Sequence, residues 1–241
     1  MSEDRLLDGR VVLRQPDAGY RAAIDPVFLA AAVPAKSGER VLDAGCGVGA
    51  GALCLASRVA GVQVVGIDAQ SDLISLAAEG ARLSGLSDRS WFIAGDILSP
   101  PGLGAPFDHV MANPPYLAEG SAIPPPDPAK RQANVEGEAK LADWVAFCLG
   151  QVKAGGSVTF IHRADRQGEV IAALEKGAGG INVFPLWPKS AGEGAKRVIV
   201  QGVKGGANGV SMCDGLVLHQ ENGDFTPAAQ AVLRAAQTLT L

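Results

Sequence analysis

The sequence predicts an α/β fold: a doubly wound, mostly parallel sheet with an antiparallel C-terminal hairpin. Two patterns predict it. Short apolar runs at 40–42, 62–67, 91–94, 107–112 and 157–162 alternate with helical stretches near 50–59, 72–84 and 139–152. Strands separated by helices of that length are joined by crossovers, which put helices on both faces of a parallel sheet. The apolar runs Ile181–Leu186 and Arg197–Val203 then follow one another with only a loop between them, which suits an antiparallel hairpin. With 47% hydrophobic and 19% charged residues in 241, the chain has apolar surface enough to bury a core. One domain with small additions is expected.

The elements outside this alternation follow from local signals. Residues 1–35 are expected to form a flap and a helix packed on the core, and residues 36–241 the main domain. In the flap, Asp8-Gly9 separates two apolar runs, a hairpin signal. Asp25-Pro26 reads as N-cap and first helical residue of a helix through Val27–Val33 that stops before Pro34. A further helix is expected over Asp165–Lys176, and a glycine-rich turn at Gly205–Asn208 ahead of Leu216–Leu218. Thr226-Pro227 starts a last helix that carries Ala231, Leu233, Ala235, Ala236 and Leu239.

Composition narrows the function classes. A net charge of -4 means that a polyanion would have to be bound by a local basic patch. Cys46, Cys54, Cys148 and Cys213 form no C-x-x-C pair, so buried reduced thiols are expected in place of a zinc site or a disulfide framework. No metal is expected. No run approaches the roughly 18 apolar residues of a membrane helix, and no membrane partner is expected. The expected location is the cytoplasm.

Two motifs carry the chemistry. In the first, Gly45, Gly47 and Gly49 follow the strand ending Val41-Leu42-Asp43-Ala44 and precede a helix, so that bare backbone can approach a ligand. Because Ala50 follows, the run also satisfies a dinucleotide pattern, and the glycines alone leave S-adenosylmethionine (AdoMet) and NAD open. Asp43 discriminates: two residues before Gly45 a carboxylate would repel a pyrophosphate but supports the cationic amino-acid end of AdoMet. Asp68 ends the second strand, where an acid accepts from ribose hydroxyls, and Asp96, followed by Ile97, is placed to accept from the adenine amino group. A helix cap or a surface charge is the plain alternative for each acid.

The second motif is Asn113-Pro114-Pro115-Tyr116, directly after the strand 107–112. Two prolines fix φ and remove two backbone donors, leaving a stiff corner rich in acceptors. An amino group conjugated to a ring or a carbonyl must lose its planarity to attack a methyl group. Asn113 and the Pro114 carbonyl can hold its two protons as it does so, and Tyr116 can stack on the planar group. By itself such a turn is often only a turn. The stretch from Asn113 to Gly137 is the longest without periodic signal, and its place after a strand favours a functional loop.

On these motifs the chain resembles the class I AdoMet-dependent methyltransferases of the Asn-Pro-Pro-Tyr type, from Gly19 to His162 and more loosely to its end. Within that family it is most similar to the bacterial tRNA adenine-N6 methyltransferases that modify the base beside the anticodon of valine tRNA. The shared text is Gly19-Tyr20-Arg21, Asp25-Pro26-Val27-Phe28-Leu29 and Ala129-Lys130-Arg131-Gln132-Ala133. The resemblance implies a seven-stranded Rossmann-like sheet, AdoMet as cofactor and an RNA substrate, tRNA first. It places Tyr20, Arg21 and Asp25 near the cofactor edge, with Asn113 and Ile97 also lining the cofactor site. Pro115, Tyr116, Lys130 and Arg131 are assigned to substrate contact. The pattern departs in charge: the loop from Glu119 to Glu138 holds four acids beside Lys130 and Arg131. The basic set Lys189, Lys196, Arg197 and Lys204, against Glu193, is explained at least as well by a solvated face.

Other readings stay open at this level. Glutamine side-chain amides are planar too, although protein glutamine N5-methyltransferases usually carry an N-terminal helical domain and only about forty residues precede the glycine loop here. A DNA adenine methyltransferase would need a target-recognition region. An NAD-dependent oxidoreductase is disfavoured by Asp43. A non-catalytic AdoMet-binding scaffold is disfavoured by the intact Asn113–Tyr116 motif. His109, His162 and His219 are isolated and are expected to be structural or surface residues.

Overall fold

The computed structural model describes residues 1–16, 24–116, 138–191 and 194–241. The N-terminal runs form the expected hairpin, β1 (Ser2–Leu6) and β2 (Val11–Gln15), paired antiparallel. Helix α1 spans Asp25–Ala32. The alternating section then gives β3 (Arg40–Ala44), α2 (Ala50–Arg58), β4 (Gln63–Asp68), α3 (Ser71–Leu83), β5 (Ser90–Ala94), β6 (Phe107–Ala112), α4 (Leu141–Gln151) and β7 (Val152–Arg163). A 3-10 turn at Ala164–Arg166 leads into α5 (Gln167–Leu174), so the helix expected over 165–176 is split and shorter. Strands β8 (Ala178–Trp187) and β9 (Arg197–Lys204) form the predicted antiparallel hairpin.

Beyond the hairpin the structure departs from expectation. After the Gly205–Asn208 turn the chain forms β10 (Val210–Met212) and then β11 (Leu216–Val217), both parallel to β8. Among the described residues the main sheet therefore has nine strands, in the order β10-β8-β9-β7-β6-β3-β4-β5 with β11 also on β8. Without β10 and β11 it is the expected seven-stranded sheet. The extra strands escaped the sequence because they are two and three residues long and, for β10, exposed throughout. The last helix, α6 (Pro227–Leu233), is capped as predicted by the Thr226 hydroxyl, which accepts from the Ala229 amide. It stops before Ala235, and Ala236 has φ +58°.

Strand periodicity divides the core between the two faces. Val41, Val64, Met111, Ile161 and Ile199 point to one side, against α1, α2 and the β1–β2 hairpin. Leu42, Val65, Val110, Phe160 and Val200 point to the other, against α4 and α5. Successive residues on opposite faces are what a pleated strand dictates, and apolar side chains on both faces are the mark of a buried parallel sheet. Cys46, Cys54 and Cys148 are buried free thiols, as expected, while Cys213 is partly exposed. Among the described residues no helix is long and apolar enough to cross a membrane.

Candidate active site

From β3 the chain winds outward through β4 to β5, then returns to the other side of β3 as β6 and β7. Between β3 and β6 the winding reverses, and in open α/β sheets the crevice beyond the strand ends at such a point binds ligands. Register makes this concrete. Ala44 at the end of β3 pairs with Ala112 at the end of β6 and with Ile67 in β4, and Asp68 pairs with Ala94. The residues that follow or close these strands, Gly45, Asp68, Gly95 and Asn113, are therefore carried to one edge, on neighbouring strands about 4.8 Å apart. A cavity of about 730 Å³ lies there, walled by Asp43, Gly45, Gly47, Asp68, Asp96, Ile97, Asn113, Pro114, Pro115 and Tyr116 among others. Its size is in the range of small-molecule sites.

The cofactor wall centres on the stretch from Asp43 to Ala52, with Asp68, Asp96 and Trp144 added from other elements. Gly45 has φ +69°, and a Cβ there would fall 2.6 Å from the Trp144 ring, so the indole of α4 lies directly on the loop. At Gly47 a Cβ would meet nothing within 4 Å, which leaves bare backbone with open space beside it. Asp43 is buried, and its Oδ2 accepts from the Ala52 amide in the first turn of α2 at 2.9 Å. Burial pushes its carboxyl up to about 7; the Ala52 N–H opposes this and nearby Asp68 adds to it. Asp68 accepts from the Gly47 and Gln70 amides at 2.9 Å each, and burial raises its carboxyl above the ordinary range against those two bonds. Each carboxylate oxygen keeps a further lone pair for a hydroxyl. Asp96 accepts from the Leu98 amide at 2.9 Å.

These features fit AdoMet. Asp43 is a buried carboxyl bonded to the first turn of α2, and a cationic amine beside it would favour its charged form where a pyrophosphate would be repelled. Asp68 and Asp96 stand at the next two strand ends. The buried Trp144 indole N–H, on the same wall, has no hydrogen-bond partner among the described residues. When bound, AdoMet supplies an electrophilic methyl group on a sulfonium.

The transfer corner is assembled differently. Tyr116 is nearly buried, and its hydroxyl lies 2.7 Å from Asp25 Oδ2 and 2.5 Å from the side-chain oxygen assigned to Asn113. Arg197 Nε donates to the same Asp25 oxygen at 2.8 Å, and its guanidinium lies 4.3 Å from the Tyr116 ring centre. Burial works against the Arg197 charge, but Asp25 and Tyr116 outweigh it and hold the guanidinium firmly protonated. His162 meets the Tyr116 ring edge-on at 5.6 Å. It is fully buried, and desolvation, with Arg166 second, lowers it to about 4 so that it stays neutral.

Three sequence readings change here. Asp25 is not a cap: Ile24 occupies the cap position, and Asp25 opens the helix with its carboxylate committed to Tyr116 and Arg197. The basic set is not one solvated face, because Arg197 pairs with Asp25 and Lys204 donates to the Leu149 and Val152 carbonyls at 2.7 and 2.8 Å. One face of Tyr116 is already covered by Arg197, so a planar substrate has at most the other. Tyr20, Arg21, Lys130 and Arg131 lie outside the described residues. His109 is structural, between Ser157 and Glu39. No group of three or more His, Cys, Asp or Glu side chains able to hold a metal occurs among the described residues.

The fold is a methyltransferase-like α/β fold with a central, mostly parallel sheet. Residues 35–143 match the family described as "Methyltransferase domain". Among curated proteins, the chain is 32% identical over 117 residues to a release factor glutamine methyltransferase of Chlorobaculum tepidum, covering 47% of this chain and 40% of that one. It is 25% identical over 209 residues to a tRNA1(Val) (adenine(37)-N6)-methyltransferase of Aeromonas hydrophila, covering 86% of this chain and 85% of that one. The chain thus spans less than half the length of the first relative and most of the second. Among solved structures, a predicted O-methyltransferase from Agrobacterium tumefaciens superposes with a TM-score of 0.74 at 22% identity, over 90% of this chain and 99% of that one; this likeness concerns the fold.

Proposed function

We propose that this protein transfers the methyl group of AdoMet to a planar exocyclic amino nitrogen, and that its substrate is adenine N6 in tRNA. The observation that carries the reading is the Ala44–Ala112 register, which sets Asn113 beside Gly45 on one cavity wall. A stiff acceptor-rich corner thereby faces the glycine loop. The Asn113 amide oxygen and the Pro114 carbonyl accept hydrogen bonds from the two N–H groups of the amino group, so its nitrogen is held tetrahedral with a lone pair free to attack. That favours the transition state over the planar ground state. Alignment within the cavity supplies the rest, since well-oriented groups reach effective molarities of about 10⁵ M and more.

The tRNA reading is supported by the length of its match: the alignment with the tRNA adenine relative runs over 86% of this chain. A second reading, methylation of a glutamine side-chain amide in a protein, is favoured by the higher identity to the release factor relative over the shorter span. The same acceptors serve both nitrogens. Incubation with methyl-labelled AdoMet and separate pools of total tRNA, ribosomal RNA and protein, followed by mass mapping, separates them. Label recovered as N6-methyladenosine in tRNA is the expected result; label in protein alone, as methylglutamine, refutes the RNA substrate while leaving N-methylation intact.

A further inference from the structure

Arg163 closes β7 and Arg197 opens β9, and the antiparallel pairing of these strands sets the two arginines directly opposite each other. Like charges facing across a ladder destabilise it, and a chain of net charge -4 has no general surplus of cations to place there. Each guanidinium is held by a carboxylate of its own. Arg163 donates from Nε and Nη2 to Asp165, the Nε bond at 2.9 Å. Arg197 donates from Nε to Asp25 at 2.8 Å and from Nη1 to the Lys196 carbonyl at 3.2 Å. The bond to Asp165 keeps Arg163 firmly protonated against desolvation and the opposing charges of Arg197 and Arg166. Arg163 Nη1 and Arg197 Nη2 make no hydrogen bond to the described residues. Neither is shut away from water, the two side chains being 38% and 31% exposed. Lys196 is exposed beside them, its carbonyl accepting from the Ala164 amide at 3.3 Å, and has no ion pair among the described residues.

We propose that Arg163 and Arg197, with Lys196 beside them, form a phosphate clasp that holds the RNA backbone next to the nucleotide whose base enters the transfer corner. This rests on the tRNA reading and deepens it. Guanidinium donors match the oxygens of a phosphate, and each arginine keeps one nitrogen unclaimed while its carboxylate fixes the rest of the fork. The clasp adjoins the corner itself, since the Arg197 guanidinium lies 4.3 Å from the Tyr116 ring centre. Asp165 and Glu169, the partners of Arg163 and Arg166, are each 58% exposed. Ion pairs so open to water hold weakly, and a polyanion competes for them as it displaces counterions. Every nucleotide carries a phosphate near its base, whereas a glutamine side chain in a protein has no fixed anion beside its amide. Phosphate contacts set register without reading sequence, which leaves the base to Asn113–Tyr116.

Fluorescence anisotropy of the full chain with fluorescein-end-labelled tRNA, at several salt concentrations, tests this. Arg163→Gln and Lys196→Gln are each expected to weaken tRNA binding by about 3- to 10-fold and to flatten the slope of log affinity against log salt by roughly 0.7–0.9, the signature of one lost phosphate contact. AdoMet affinity by calorimetry is expected to be unchanged. Asp165→Asn breaks the same ion pair as Arg163→Gln but removes an anion, so tRNA affinity is expected to stay level or rise. A merely structural pair predicts otherwise: both variants would lower the melting temperature and tRNA affinity together, and that result overturns the clasp. An unchanged salt slope in Arg163→Gln overturns it too. A glutamate-rich peptide serves as competitor. If the variants lose affinity for the peptide while binding tRNA like the parent, the surface serves a protein and the phosphate assignment falls. Label that reaches tRNA while Arg163→Gln binds tRNA like the parent refutes the clasp alone; label that reaches no RNA refutes the substrate reading and the clasp with it.

Discussion

The cofactor wall and the Asn113–Tyr116 corner line one cavity but are built in opposite ways. The cofactor wall comes mainly from one strand–loop–helix stretch, with Asp43 reaching forward nine residues to the Ala52 amide. The transfer corner is gathered from three distant places: Asp25 on α1, Asn113 and Tyr116 after β6, and Arg197 at the start of β9. A local motif can position ligand-binding backbone because its geometry is set within a few bonds. A cluster of side chains such as Asp25, Tyr116 and Arg197 needs elements that only folding brings together.

The widest gap between the walls should appear in Asn113→Ala. It is expected to lose about 10³-fold in kcat, the scale of removing one preorganised transition-state contact, with AdoMet affinity within a few-fold. Single-turnover methylation and calorimetry measure the two quantities, and a parallel collapse of both would show that the walls do not act separately.

Asp43→Asn should show the reverse, weakening AdoMet by about 10- to 100-fold through loss of a charge-assisted contact worth about 1.5–3 kcal/mol. pH sharpens the comparison. Asp43 sits at about 7 in the folded protein against an ordinary 3.8, so affinity for the cationic ligand is expected to fall as pH drops from 8 to 6 and the carboxylate takes up a proton. Stability of the ligand-free protein runs the other way. Between pH 4 and 7 the folded chain holds a proton at Asp43 that the unfolded chain releases, so stability declines as pH rises through that window. The Asp43→Asn substitution should flatten that decline, giving a higher melting temperature than the parent at pH 8; an unchanged melting profile would mean that Asp43 does not titrate there.

The smallest effect is expected from Gly45→Ala, which sets a Cβ 2.6 Å from Trp144 at φ +69°. A cost of about 1–3 kcal/mol follows from the backbone alone, and the steric share should be recovered when Trp144→Ala is added. Thermal melting of the single and double variants separates the two contributions. Full additivity would place the strain in φ only.

Legibility in the sequence followed the same division. That Gly45, Gly47, Asp43 and Asp68 gather at one cavity was legible because their spacing from a strand end is written locally, and so were the strands and helices between 40 and 163, through period-2 and period-3.6 patterns. Asp25 was misread as a helix cap, since an Asp before Pro looks the same whether its carboxylate serves its own helix or reaches Tyr116. Arg197 and Lys204 stand in a basic stretch that resembles a solvated surface, and only the pairing of β9 with β7 and β8 carries one to Asp25 and the other to the end of α4. Trp144 gave no signal as a cofactor-wall residue, because its place over Gly45 depends on how α4 crosses the sheet. Strands β10 and β11 were too short to have a pattern.

By itself the sequence determined the doubly wound class, the strand that carries the glycine loop, the acids at successive strand ends and the presence of an acceptor-rich corner, all properties fixed within a few residues of chain. Tertiary structure alone decided that this corner lies beside Gly45, that Asp25 and Arg197 hold Tyr116, and that the sheet extends past seven strands. These depend on strand register and helix packing, in which residues far apart in the chain compete for the same hydrogen bonds, and no local pattern records which of them prevails.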